Sequence, residues 1–176
     1  GNKLILDSLE TNRNFSDAQF KGSIINLWQF IFNSNQKLLV KGSLTSKKFV
    51  FEDLLLPSNG NEEAGTFFPS NIAANLQTSI LNFVYGNFTS DSATSDLLIS
   101  PSLIKASNLK LKTMNGWLFA NLKLVPLADQ NLTFSSTGTI KNIEIVQLFK
   151  SFDNFNQTYI RADHLRGKAT ASYSAS

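Results

Sequence analysis

The chain has 176 residues, 42% of them hydrophobic and only 16% charged, with a formal net charge of +3. That length suits one domain with a real core, and 15 Phe exclude disorder as a global description. The absence of Cys removes disulfides, thiolate metal sites and thiol nucleophiles, and a single His leaves little room for a His-based metal site or a catalytic triad.

Gly1 has the look of a tag remnant, so the chain is expected to be part of a longer protein. The dominant period is two, the mark of half-buried strands. It starts with Ala18, Phe20, Gly22 and Ile24 against Asp17, Gln19, Lys21 and Ser23. From Asn26 the period turns helical through Leu27, Trp28, Phe30, Ile31 and Phe32 to a stop at residues 33–35. Residues 24–32 are the longest uncharged apolar stretch, far short of the about 20 residues that span a bilayer. A helix lying on a membrane usually presents a basic face, and this one has none, so it is expected to be buried in a core or to cap a groove.

Leu38, Val40, Gly42 and Leu44 resume the alternation, and its parity flips to Phe49 and Phe51 across Ser46-Lys47-Lys48, which predicts a bulge or tight turn. Residues 57–70 are polar and rich in turn formers, and read as a flexible surface loop. Beyond it the strand pattern returns unchanged in Ile72, Ala74, Leu76, Thr78 and Ile80. Asn115-Gly116 then predicts a two-residue type I′ hairpin. Its register sets Thr113 opposite Leu118, Leu111 opposite Ala120 and Leu109 opposite Leu122, all on one face. The other face carries Lys110, Lys112, Asn121 and Lys123, with Trp117 and Phe119 near the turn. Leu132, Phe134, Ser136, Gly138 and Ile140 form a further strand. A second helix is expected from Asn142 as N-cap, with Ile145, Val146, Leu148, Phe149 and Phe152 at helical spacing and Lys150 near its C-terminal end.

These helices sit in a repeat, about residues 18–46 and 134–173. Gly22-Ser23-Ile24-Ile25-Asn26 matches Gly138-Thr139-Ile140-Lys141-Asn142, and Val40-Lys41-Gly42 with Thr45 matches Leu165-Arg166-Gly167 with Thr170. Each copy reads strand, short helix, strand, so the chain is expected to be mainly β, an extended antiparallel sheet in which a helix caps each crossing. The apolar stripes of Ile72, Leu76, Ile80, Leu109, Leu111, Leu118, Leu122, Leu132 and Phe134 need a cover: a second layer, helices or a ligand.

Little catalytic chemistry is legible. Asp163-His164 is the one adjacent His–carboxylate pair, and neighbours in a strand would point to opposite faces, away from a common substrate. Glu52-Asp53 and Glu62-Glu63 lack the dense oxygen spacing of a calcium loop. Lysines beside Trp117 and Phe119 would suit nucleic acid, but the modest net charge argues for ordinary solubilising residues. No enzyme activity, metal, cofactor or nucleic-acid partner is expected.

Residues 137–171, above all Thr-Gly-Thr-Ile-Lys-Asn-Ile-Glu-Ile-Val-Gln-Leu-Phe-Lys-Ser-Phe-Asp-Asn-Phe-Asn-Gln-Thr and the later Asp163-His164-Leu165-Arg166-Gly167-Lys168, resemble the C-terminal region of AsmA-like envelope proteins, especially those of Bacteroidetes. Phe83-Val84-Tyr85-Gly86-Asn87-Phe88 and Asn108-Leu109-Lys110-Leu111 with Asn115-Gly116 are similar to the strands that precede it there. The chain departs at Asn156, where relatives tend to carry Gly, and at Asp163-His164, where they tend to carry Lys-Asn. The resemblance implies an open, curved, trough-like β-sheet spanning residues 1–176 as a single segment of a longer protein. It implies a periplasmic location, an anchor in the inner membrane outside this segment, and contacts with the remaining segments of the parent chain. It also implies a part in outer-membrane biogenesis, shielding or transferring phospholipid or another acyl-chain lipid along the nine apolar residues named above. The alternative is a structural or protein-interaction β-module with a closed core.

Overall fold

The computed structural model describes residues 2–33, 36–54, 71–126 and 132–176; the loop expected at 57–70 lies outside them. The first strands are β1 (Lys3–Arg13), β2 (Ser16–Ile25), β3 (Leu38–Ser46) and β4 (Phe49–Val50), with helix α1 (Leu27–Phe32) between β2 and β3. Then follow β5 (Ile72–Ile80), β6 (Phe83–Tyr85), β7 (Phe88–Ser90), β8 (Ser92–Ser100), β9 (Leu103–Thr113), β10 (Gly116–Pro126) and β11 (Leu132–Glu144). Helix α2 (Ile145–Ser151) and β12 (Lys168–Ala175) complete the chain.

Nine strands form one open, curved sheet in the order β1-β2-β3-β5-β8-β9-β10-β11-β12. The expected antiparallel pairing holds throughout except at β3 and β5, which run parallel. The reason is the crossover through residues 47–71, since parallel neighbours need a connection of about a dozen residues or more. Alternation sorts the side chains between the faces. On one face Ile24, Val40, Ala74, Ile99, Ile104, Leu124 and Phe134 stand side by side near what we call the upper end. In the middle the row is Gly22, Gly42, Leu76, Leu97, Ala106, Leu122 and Ser136, and at the lower end Ser46, Ile80, Ala93, Leu111, Leu118 and Ile140. The opposite face is polar through its middle, as in the row Ser23, Lys41, Asn75, Leu98, Lys105, Lys123 and Ser135, with Ile25, Leu39, Ala73, Leu103 and Val125 at its upper rim.

The lower end is closed. There β3 and β5 give way to β4 and β6, and β7 leads into β8, so the three short strands continue their long neighbours as a separate small sheet, a flap. Phe49, Phe83 and Phe88 of the flap pack with Leu148 of α2 against Ile80, Ala93, Leu111, Met114 and Ile143, the last 1% exposed. Phe152 follows α2 and lies 5.9 Å from Phe88, and Phe149 and Phe155 meet edge-to-face at 5.1 Å. The parity flip at Ser46 falls at a bend at Lys47, between β3 and β4. The Asp17 carboxylate holds it, accepting from Lys48 N at 2.7 Å, Lys47 N at 2.9 Å and Ser46 Oγ at 3.1 Å.

Four local expectations are corrected. The hairpin turns on Met114 and Asn115, both left-handed (φ 50° and 58°), not on Asn115-Gly116. Leu118 therefore faces Leu111, Ala120 faces Leu109, and after a bulge Leu122 faces Ala106. A slip of two residues keeps every side chain on its face. Gly116 serves close approach instead: a Cβ there would strike the Lys141 carbonyl and Asn142 backbone of β11. Second, α2 starts at Ile145 with Glu144 in the N-cap position, and Asn142 sits left-handed (φ 55°) within a bulge of β11. Third, α1 is not buried; Trp28, Ile31 and Phe32 are 53%, 57% and 83% exposed. Left-handed Asn26 (φ 65°) turns the chain off the end of β2, past the rim of the sheet.

The fourth concerns the repeat. Both copies are strand–helix–strand hairpins, and in each a Gly and an Ile share the apolar face and the Asn is left-handed. The second halves are not equivalent. Gly42 faces Gly22, but the residue facing Gly138 is Tyr173, and Gly167 precedes β12. The strands β2 and β11 also run in opposite directions while β3 and β12 lie on the same side of them, so the hairpins turn opposite ways about the apolar face.

Candidate functional site: the apolar face

The nine stripe residues occupy one face of one sheet, but they divide into two groups. Ile80, Leu111, Leu109 and Leu118 belong to the closed lower core. Ile72, Leu76 and Leu122 lie above it and are half-buried, and Phe134 is exposed. Leu132 holds the register position opposite Pro126, and its side chain lies outside the described residues. The candidate set left out Ile24 and Val40, though the alternation places them, and missed Leu97, Ile99, Ile104 and Leu124, which complete the upper rows. In β8 the signal is masked by Leu98, an apolar residue on the polar face between Leu97 and Ile99.

Leu76, Leu97 and Leu122 are central in their strands, and those strands are flanked on both sides. In a two-layered fold such positions are fully buried. Here they are only partly buried, and in the row above only Ala74 and Ile99 are buried, at 8% and 7% exposed, among neighbours that are not; no described element packs as a second layer over the upper part of this face. The two small-residue lanes, Gly22 beside Gly42 and Ala106 beside Ser136 across Leu122, lower the relief between the larger side chains. The result is a broad apolar surface bounded below by the phenylalanine plug, on which the described hydroxyls of Ser136 and Tyr173 bond each other at 3.0 Å.

The polar candidates among the described residues do not converge on one site. Asp163 and His164 lie in a 3-10 turn, not a strand, with His164 Nε2 3.9 Å from Asp163 Oδ1 and both side chains more than half exposed. Arg161 approaches the same carboxylate at 3.5 Å. Glu52 accepts from Gly86 N, and Asp53 accepts from Ser16 Oγ at 2.7 Å and Phe15 N at 3.0 Å. Both acids thus tie the start of the crossover to neighbouring turns. Glu62-Glu63 lies outside the described residues, among which no group of three or more His, Cys, Asp or Glu could hold a metal ion. On the polar face Lys110 covers the Trp117 ring at 4.5 Å and Lys141 the Phe119 ring at 5.4 Å. Those rings are therefore shielded by lysine stems rather than presented for stacking. Beside them a shallow, open depression of about 610 Å³ is lined by Asn108, Asn121, Thr137, Thr139 and Ser172.

No helix among the described residues is long and apolar enough to cross a membrane. Compared with family models, curated proteins and solved structures, the chain matches none.

Proposed function

We propose that this chain is a non-enzymatic lipid-shielding segment of an AsmA-like envelope protein, in which the upper part of the apolar face takes up acyl chains. The observation that carries the reading is the row of only partly buried aliphatic side chains across the middle of a nine-stranded sheet, Leu76, Leu97 and Leu122. Such a surface stays in water only at a cost, and each CH₂ of a ligand buried on it is worth about 0.8 kcal/mol. An acyl chain of ordinary length is thereby held without any specific polar contact, which agrees with a face on which the described hydroxyls of Ser136 and Tyr173 are already bonded to each other. In this reading the segment works in the periplasm, its parent is anchored in the inner membrane outside the segment, and it handles phospholipid or another acyl-chain lipid during outer-membrane biogenesis.

The test is direct. The purified chain is titrated with a fluorescent acyl-chain probe, and lipids that copurify are extracted and identified by mass spectrometry. Saturable probe binding that Leu122→Asp abolishes, with the fold intact, is the expected result. A folded chain that binds no probe and carries no lipid would favour the structural or protein-interaction module instead.

A further inference from the structure

We infer that α1 and the upper rim of the sheet dock on an anionic lipid bilayer. This goes beyond the lipid-shielding reading, because docking needs only the rim and not an occupied apolar face. The first observation is α1 itself. Its sequence, LWQFIF, carries no charge, and Trp28, Ile31 and Phe32 stand largely exposed past the end of β2. One turn and a half of helix has no stability of its own in water, so an exposed aromatic and aliphatic tip here is a cost unless something apolar receives it. Trp is the residue enriched where membrane meets water.

The second observation says what receives it. The upper half of the sheet, from its rim down to the middle row, comprises the described residues 2–6, 22–33, 36–42, 71–76, 97–106, 122–126, 132–136 and 175–176. They include Lys3, Lys37, Lys41, Lys105 and Lys123 and no Asp or Glu. Asp7 and Asp96 stand just below the middle row, and Glu10, Asp17, Glu52, Asp53, Asp91, Glu144, Asp153 and Asp163 lie toward the other end, where they mix with Lys and Arg; Glu62, Glu63 and Asp129 lie outside the described residues. Lys3, Lys41, Lys105 and Lys123 share the polar face, within about 10 Å of the rim at the rise of a strand, which is close to a Debye length at physiological ionic strength. Spread over several strands rather than gathered round a pocket, they suit a diffuse negative surface. An apolar tip among lysines is the pairing that binds anionic bilayers. Docked this way, the open upper part of the apolar face meets the membrane.

The two tryptophans mark opposite ends of the sheet, since Trp117 faces Lys112 and Lys141 near the lower turn. Trp117→Phe leaves Trp28 as sole reporter, and Trp28→Phe leaves Trp117. Each protein is titrated with vesicles of phosphatidylcholine alone and of phosphatidylcholine with phosphatidylglycerol. The Trp28 emission is expected to shift to the blue with the anionic vesicles, less with the neutral ones and less again in high salt, while that of Trp117 stays in place. Ile31→Ser with Phe32→Ser should lower vesicle partitioning about tenfold or more, as apolar area drives interfacial binding, with an unchanged melt because both side chains are exposed. Lys37→Glu with Lys41→Glu should weaken only the anionic binding. The same Ile31→Ser, Phe32→Ser protein should still bind the acyl-chain probe without vesicles, so docking and lipid shielding fail separately. The inference is overturned if Trp28 does not respond to vesicles, if Trp117 responds equally, or if Trp28 shifts with protein concentration alone, which would assign the tip to a second copy of the chain.

Discussion

Gly22 and Gly42 face each other across β2 and β3, and each leaves no room for a side chain. A Cβ on Gly22 would strike the Lys41 carbonyl and come within 2.6 Å of Gly42 Cα, and one on Gly42 would strike the Lys21 carbonyl. The obstacles are backbone, so they cannot rotate away. Gly42→Ala should therefore cost about 1–3 kcal/mol, the range of overpacking in a well-filled site, read as a lowered denaturation midpoint with an unchanged slope. Asp17 governs a different kind of stability. The Lys48 N–H, then Ser46 Oγ and Lys47 N–H, hold its carboxyl below the usual value of 3.8, against the opposing effect of partial desolvation. A depressed folded-state pKa gives stability that is fully present above the unfolded value and is lost as pH falls through the folded one. Asp17→Asn should thus lower the melting temperature at neutral pH and flatten its decline below about pH 3.8, a comparison that a pH series of thermal melts makes directly.

At the scale of elements, the turn of the β9–β10 hairpin sets two effects against each other. Met114 pays for a left-handed conformation, roughly 1–2 kcal/mol for a residue with a side chain, yet it is 8% exposed within the lower core. Burial of such a side chain is worth about 2–5 kcal/mol by truncation, so packing wins and Met114→Gly should destabilise despite relieving the backbone. Phe88→Ala should cost about 3–5 kcal/mol, because that ring joins the flap to α2; urea unfolding measures both. These elements also show what was legible. Alternation located β2, β3, β5, β9, β10 and β11 and their apolar face, since a period of two survives any even slip of register. It does not reveal β1, whose bulge between Leu6 and Leu9 breaks the parity, and it sets the hairpin turn one residue late, because Gly116 answers to β11 rather than to the turn. The exposure of α1 was illegible in principle. A helix apolar all round is buried in most settings, and its place beyond the rim depends on the tertiary path. The lysine polarity was hidden by a net charge of +3, which sums over an end rich in acids and an end without described ones.

The whole molecule is a sheet with two different halves. Below, the flap and α2 close the apolar face into an ordinary core; above, the same face continues with no described layer over it. The most direct test is the urea unfolding curve of Leu76→Asp beside that of Leu111→Asp. Leu111 is 8% exposed under the plug, so a carboxylate there is buried without a partner and should abolish the cooperative transition. At Leu76 the charge can remain hydrated, and Leu76→Asp should keep a cooperative transition of unchanged slope, with its midpoint only modestly lowered. Loss of the cooperative transition in Leu76→Asp as well would show that the upper face is covered like the lower one, and would contradict the open sheet.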